Sequence, residues 1–94
     1  MMVNYGKRTM SALPPPSISP AQSRAARAWL NISQQELAAL SLVNKRTIAD
    51  FERGASTPYE RTLRDLQRAL EEKGVEFVFE GQRGIGVTVR QQAG

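Results

Sequence analysis

The sequence predicts a mainly α protein in which four short helices precede a two-stranded β element. Residues that favour helix starts stand before apolar stripes at four places: Ser19, Ser33, Asn44 and Thr57. Beyond Gly74 the apolar period changes from helical spacing to strict alternation, which is typical of strands. A chain of 94 residues holds one domain at most. We therefore divide it into an arm over 1–18, a helical domain over 19–74 and a β element over 75–94.

The arm over residues 1–18 shows no periodicity and contains Pro14-Pro15-Pro16, which predicts a flexible or partly extended segment. The first helix is expected to follow directly. Ser19 caps it, Pro20 takes the first helical position, and Gln22 completes an S-x-x-Q capping box. Asn31 ends this helix. Its predicted buried stripe follows the spacing i, i+4, i+7 and i+8: Ala21, Ala25, Ala28 and Trp29.

Two helix starts eleven residues apart predict the second and third helices. Ser33 and Glu36 form a capping box before a helix over about 34–40, and Asn44 caps a helix over about 45–52. Gly54 is the expected left-handed C-cap of the third helix. The small Ala38 allows the two helices to cross closely. Their shared apolar face comprises Leu37, Ala38, Leu40, Val43, Ile48, Ala49 and Phe51.

The fourth helix is predicted to begin in Thr57-Pro58-Tyr59-Glu60, with Thr57 as the cap and Pro58 as the first helical residue. Gly74 ends it. The apolar stripe of this helix consists of Leu63, Leu66, Ala69 and Leu70.

Two alternating segments, interrupted by Gly81-Gln82-Arg83-Gly84, predict two β-strands after Gly74. A lone two-stranded ribbon is marginal in water, so its apolar face needs cover. We expect pairing with the same ribbon of a second chain; the alternative is a hairpin that folds back on its own helices. The predicted dimer interface is formed by Val75, Phe77, Phe79, Ile85, Val87 and Val89.

The middle of the chain contains S-Q-x-E-L-A from Ser33 to Ala38, the apolar Val43 and Ile48, and F-E-R-G from Phe51 to Gly54. These residues resemble the helix-turn-helix of the Xre family, which includes lambda repressor and Cro. The resemblance covers roughly residues 20–73 and implies a DNA-binding domain of lambda-repressor-like fold. A subset of Xre-like regulators also has a G-V-E-F strand after the last helix. The family usually places Gly before the Val of the turn, and here that position is Leu42. Either this turn is strained or its geometry is altered.

The resemblance implies roles for particular side chains. Four residues occupy positions that face base edges in the family: Lys45, Arg46, Thr47 and Asp50. Five more are expected to contact phosphates: Gln34, Asn44, Arg53, Ser56 and Arg27. Arg27 is also expected to form an ion pair with Glu52. The alternative for Lys45 and Arg46 is ordinary solvated charge. Tyr5, Lys7 and Arg8 would reach a DNA groove from the arm, unless the arm is an untethered tail.

Composition narrows the function classes. Histidine and cysteine are both absent, which removes the commonest general base, metal ligands and thiol nucleophile, so we expect no enzyme, metal or cofactor. No apolar run approaches a membrane span, and the N-terminus lacks a signal-peptide core, which suits a cytoplasmic protein. The net charge of +4 alone is weak evidence for a nucleic-acid partner, since many soluble proteins are mildly basic. Residues 20–64, however, hold seven basic side chains against four acids.

The sequence therefore predicts a transcriptional regulator that binds double-stranded DNA. We expect a repressor that recognises an inverted-repeat operator as a homodimer. The alternative is an antitoxin-type interaction protein that neutralises a partner protein through residues 1–19 or 75–94 and regulates its own operon. Copurification with a second small protein would favour the alternative.

Overall fold

The computed structural model describes residues 13–90, which form four α-helices and one antiparallel hairpin. Tyr5, Lys7 and Arg8 of the predicted arm lie outside the described residues. The elements follow one another as α1 (Pro20–Leu30), α2 (Gln34–Ser41), α3 (Lys45–Glu52), α4 (Glu60–Glu72), β1 (Val75–Glu80) and β2 (Arg83–Val89). The mainly α fold class predicted from the sequence is confirmed.

Side-chain caps fix the starts of the first three helices as the sequence predicts. The Ser19 hydroxyl accepts a hydrogen bond from the backbone amide of Gln22, and the side-chain oxygen of Gln22 accepts one from the backbone amide of Ser19. The same reciprocal box joins Ser33 and Glu36. At α3, the Asn44 side chain accepts from the Arg46 amide at 2.7 Å. Each cap satisfies amides that a helix start otherwise leaves without a partner.

The start of α4 differs from the prediction. The helix begins at Glu60, two residues after the expected Pro58, and Thr57 does not cap it. Tyr59 occupies the N-cap position with an extended backbone (φ −62°, ψ 154°) and makes no side-chain cap hydrogen bond. Because the chain turns into the helix only after Tyr59, the Thr57-Pro58 pair belongs to the preceding loop.

The turn between α2 and α3 is strained at Leu42. Its backbone is left-handed (φ 63°, ψ 26°), and its side chain is 91% exposed. The positive φ shows that the turn keeps the geometry for which glycine is the ordinary residue, and the Leu42 amide still donates to the Ala38 carbonyl at 2.9 Å. Of the two alternatives for this position, the structure shows the strained turn. Leu42 gains little from burial there, so the strain has no offset from packing.

The hydrophobic core draws on every helix and on β1, but the predicted buried stripe of α1 is wrong. Trp29 is 65% exposed, and Ala21, Ala25 and Ala28 also face solvent. The buried side of α1 carries Gln22, Ser23 and Ala26 instead. Two of these three are polar, and their side chains are buried because they form hydrogen bonds to other elements. The core comprises Ile18, Ala26, Leu37, Val43, Ile48, Phe51, Leu63, Leu66, Ala69, Leu70 and Val75.

The presence of Ile18 in this core corrects the extent of the arm, because Ile18 is only 3% exposed. The backbone carbonyl of Pro14 also accepts a hydrogen bond from the Gln82 side chain at the hairpin turn. The chain is thus anchored to the domain before α1 begins.

The hairpin closes through Gly81-Gln82, with Gly81 at a left-handed φ of 63°. Strand β2 therefore begins at Arg83, earlier than the predicted Ile85. Phe77 pairs with Val87, and the register shifts by a bulge between Val78 and Phe79. The side-chain Nε2 of Gln22 in α1 donates to the backbone carbonyls of Val78 and Gly86, which lie opposite each other beside this bulge. The bulge thus joins the hairpin to α1 by hydrogen bonds.

The apolar face of the hairpin packs on the helices of its own chain. Val75 is fully buried, and Phe77, Phe79 and Val87 pack against the core. These four residues were predicted to pack against a second chain, so the structure shows the alternative of a hairpin folded back on its own helices. Ile85 and Val89 remain 49% and 45% exposed. A dimer formed through the hairpin would thus use these exposed positions or the strand edges.

Candidate nucleic-acid interface

Helix α3 presents its first turn to solvent while its other side anchors it in the core. Ile48 and Phe51 are buried, whereas Lys45 and Arg46 are exposed and Thr47 is half-buried. The Asn44 cap fixes where the helix starts and so fixes where these side chains emerge. An exposed helix start with basic side chains has the shape and chemistry that a DNA major groove accepts.

Asp50, one turn further along α3, is engaged by two arginines. Its Oδ1 accepts from Nη2 of Arg53 at 2.9 Å, and its Oδ2 lies 3.4 Å from Nε of Arg46. The carboxylate is 24% exposed, against 81% for Arg46 and 66% for Arg53. Three of the predicted DNA-contacting residues thus form one linked group on the outer side of α3.

The Arg27–Glu52 ion pair predicted from the sequence forms, with Nη2 of Arg27 at 2.6 Å from Oε1 of Glu52. Glu52 is 2% exposed, and its carboxylate accepts two further hydrogen bonds, from the Ser23 hydroxyl at 2.6 Å and from the side-chain Nε2 of Gln34 at 3.0 Å. Burial alone would raise the pKa of the Glu52 carboxyl. The hydrogen bonds from Arg27, Ser23 and Gln34 outweigh burial and hold this pKa below its ordinary value.

The same pair raises the pKa of Arg27, mainly through its hydrogen bond to Glu52. Arg27 also donates to the Ile32 carbonyl at 3.1 Å, so its guanidinium joins α1, the following loop and α3. Sequence reasoning missed the parts of Ser23 and Arg24 in this arrangement. Arg24 donates to the backbone carbonyl of Glu52. Ser23 and Arg24 precede Arg27 by four and three residues, which places them on its side of α1, and this spacing is the signal that could have found them.

An open groove of about 550 Å³ lies between α1 and α3 and has a basic lining. Three arginines stand there against the single carboxylate of Glu52, which leaves an excess of positive charge. We call this surface the basic groove; it is lined by Arg24, Arg27, Gln34, Ala49, Glu52 and Arg53. Arg27, Gln34 and Arg53, three of the predicted phosphate contacts, are thus brought together. Asn44 lies outside it at the start of α3, and the exposed Ser56 lies in the following loop.

A family model described as helix-turn-helix matches residues 24–77, more than half of the chain. The chain belongs to this family. The Xre-type resemblance drawn from the sequence is thereby confirmed, and the helix-turn-helix regulator is a DNA-binding transcriptional protein. The matched range runs from Arg24 of the basic groove through all of α3 to the first residues of β1. No curated protein sequence matches the chain.

Within residues 13–90, the structure contains no helix with the length and apolar character that a membrane crossing requires.

Proposed function

We propose that this helix-turn-helix regulator is a repressor that recognises an inverted-repeat operator as a homodimer. The observation that carries the proposal is the exposed first turn of α3 beside the basic groove. Lys45 and Arg46 suit the O6 and N7 acceptors of guanine, and Thr47 suits a phosphate or a thymine methyl group. The three arginines of the groove supply positive charge for contacts to phosphates, and the first turn of α3 supplies the contacts to bases.

Phosphate anchoring rests on Gln34, Arg27 and Arg53. Gln34 is the first residue of α2, where free backbone amides and the helix dipole favour an anion. Its side chain is tied to Glu52, which fixes its position beside Arg27. Asn44 and Ser56 would extend these contacts along the backbone on either side of α3. Repression by occluding a promoter needs no more than such binding.

Two copies are needed to read both halves of an inverted repeat, whose centres lie about 34–36 Å apart. The hairpin supports self-association because Ile85 and Val89 are exposed and it is a two-stranded sheet with two outer edges. Sedimentation analysis with and without operator DNA tests this step. A single copy on each operator would contradict it. The antitoxin alternative stays a prediction that copurification tests.

Footprinting across promoters, beginning upstream of the protein's own gene, would identify the operator. Arg46→Ala and Lys45→Ala are then each expected to weaken specific binding by roughly 1–3 kcal/mol, and to relax preference at one base pair per half-site. Arg68→Ala and Lys73→Ala are matched controls on α4 and its C-cap, and we expect them to leave operator affinity unchanged. Equal affinities for all four variants would contradict the assignment of α3 as the reading helix.

A further inference from the structure

Asp50 is placed to control the arginines beside it. Its two carboxylate oxygens are divided between them: Oδ1 accepts from Arg53 Nη2 at 2.9 Å, and Oδ2 faces Arg46 Nε at 3.4 Å. Both arginines are largely exposed, while Asp50 is only 24% exposed. The carboxylate is therefore the fixed member of the group, and the long side chains are held by it.

The contact with Arg46 uses Nε and leaves both terminal Nη nitrogens for other acceptors. Those two nitrogens form the fork that binds O6 and N7 of guanine together. An arginine side chain loses considerable rotamer freedom when it is fixed, and an intramolecular contact reduces the part of that loss that occurs on DNA. Asp50 thus orients Arg46 before the DNA arrives.

The negative charge itself opposes binding. A carboxylate on the DNA-facing helix is repelled by phosphates whatever the base sequence. Both carboxylate oxygens of Asp50 already face arginines, so a hydrogen bond accepted from a base such as cytosine N4 would share an oxygen with one of them. Its charge is therefore useful to recognition chiefly through the orientation of Arg46 and Arg53.

We propose that Asp50 is a positioning residue that fixes Arg46 for guanine and Arg53 for phosphate, and so confers specificity at the expense of affinity. This inference rests on the proposed operator binding. Removal of a residue that merely stabilised α3 would weaken binding to all sequences alike. Removal of a positioning residue would instead change the preference at one base pair and raise the affinity for unrelated DNA.

The test compares Asp50→Asn with Asp65→Asn. Asp65 forms the same i,i+3 ion pair with Arg68 on α4, at 3.1 Å, and is the matched control. Binding is measured to the footprinted operator, to its single-base variants and to unrelated DNA, over a range of salt concentrations. We expect Asp50→Asn to reduce the preference at the base pair assigned to Arg46 by roughly tenfold. Affinity for unrelated DNA is expected to rise in Asp50→Asn, and Asp65→Asn is expected to change neither quantity.

Combination with Arg46→Gln separates positioning from direct reading. If Asp50 acts through Arg46, adding Asp50→Asn to Arg46→Gln causes no further loss at that base pair. Loss of preference at a different base pair would show that Asp50 reads a base itself and would overturn the inference. Unchanged preference at all positions would also overturn it. A wild-type protein without any sequence preference would instead contradict the proposed function.

Discussion

The strained turn at Leu42 allows a stability prediction whose sign can be worked out. A left-handed backbone costs a residue with a β-carbon roughly 1–2 kcal/mol, which Leu42→Gly removes. Glycine makes the unfolded chain more flexible, at a cost of about 0.5–1 kcal/mol. Because Leu42 is 91% exposed, its replacement forfeits only a few tenths of the roughly 1.5–3 kcal/mol for a fully buried leucine. The sum is a stabilisation of about 0–1 kcal/mol.

Thermal and urea unfolding of the purified variant measure this difference, with an expected rise in Tm of up to about 8 °C. Asn31→Gly is the matched control, since Asn31 also has a left-handed backbone (φ 59°) at a helix C-cap. Asparagine tolerates this conformation better than leucine does, so glycine should gain less there. A loss of more than about 1 kcal/mol at Leu42, or a larger gain at Asn31, would refute the strain argument. Operator binding should survive the Leu42 change.

Three further predictions concern the buried polar contacts. Glu52→Gln should lower the free energy of unfolding by about 3 kcal/mol, because it leaves Arg27 without its charged partner, and urea unfolding at neutral pH measures this. Since the folded-state pKa of Glu52 lies below the ordinary value of about 4.5, its stabilising contribution is fully present above that pH and is lost as pH falls through the lower folded value. The acid limb of stability against pH should therefore be shallower in Glu52→Gln than in the wild type, and equal slopes would contradict the assignment. Gly84→Ala should destabilise by roughly 1–3 kcal/mol, because an added Cβ would lie 1.8 Å from Oε1 of Gln22 and displace a side chain that makes several hydrogen bonds. Gly86→Ala, whose Cβ would meet nothing within 4 Å, is the control, and comparable losses in both melts would rule out this explanation.

Local signals in the sequence predicted the starts of the first three helices. The capping boxes at Ser19 and Ser33 and the Asn44 cap each join residues two or three apart, so they are visible in the sequence and form as expected. Arg27 and Glu52 are 25 residues apart in the sequence, and their ion pair was predicted only through the family resemblance. The Thr57 box failed although its sequence pattern is equally good, because the backbone stays extended through Tyr59.

The buried side of α1 could not be predicted from hydrophobicity. Apolar spacing selected Ala21, Ala25, Ala28 and Trp29, but the helix turns Gln22 and Ser23 inward. Gln22 finds its acceptors 56 and 64 residues away in the hairpin, and Ser23 finds its own 29 residues away in α3. Burial of these polar side chains is favourable only because those acceptors are present. A local sequence pattern does not predict partners at such separations.

These polar contacts make α1 a connection between α3, the proposed reading helix, and the hairpin. Ser23, Arg24 and Arg27 hold the end of α3 through Glu52, while Gln22, next to Ser23 in the chain, holds both strands at the bulge. Hydrogen bonds with buried partners fix direction more closely than apolar contacts do. If two chains associate through their hairpins, the angle between α3 and the hairpin sets the distance between the two reading helices. Contacts of Gln22 far from DNA would then determine which half-site spacing the dimer accepts.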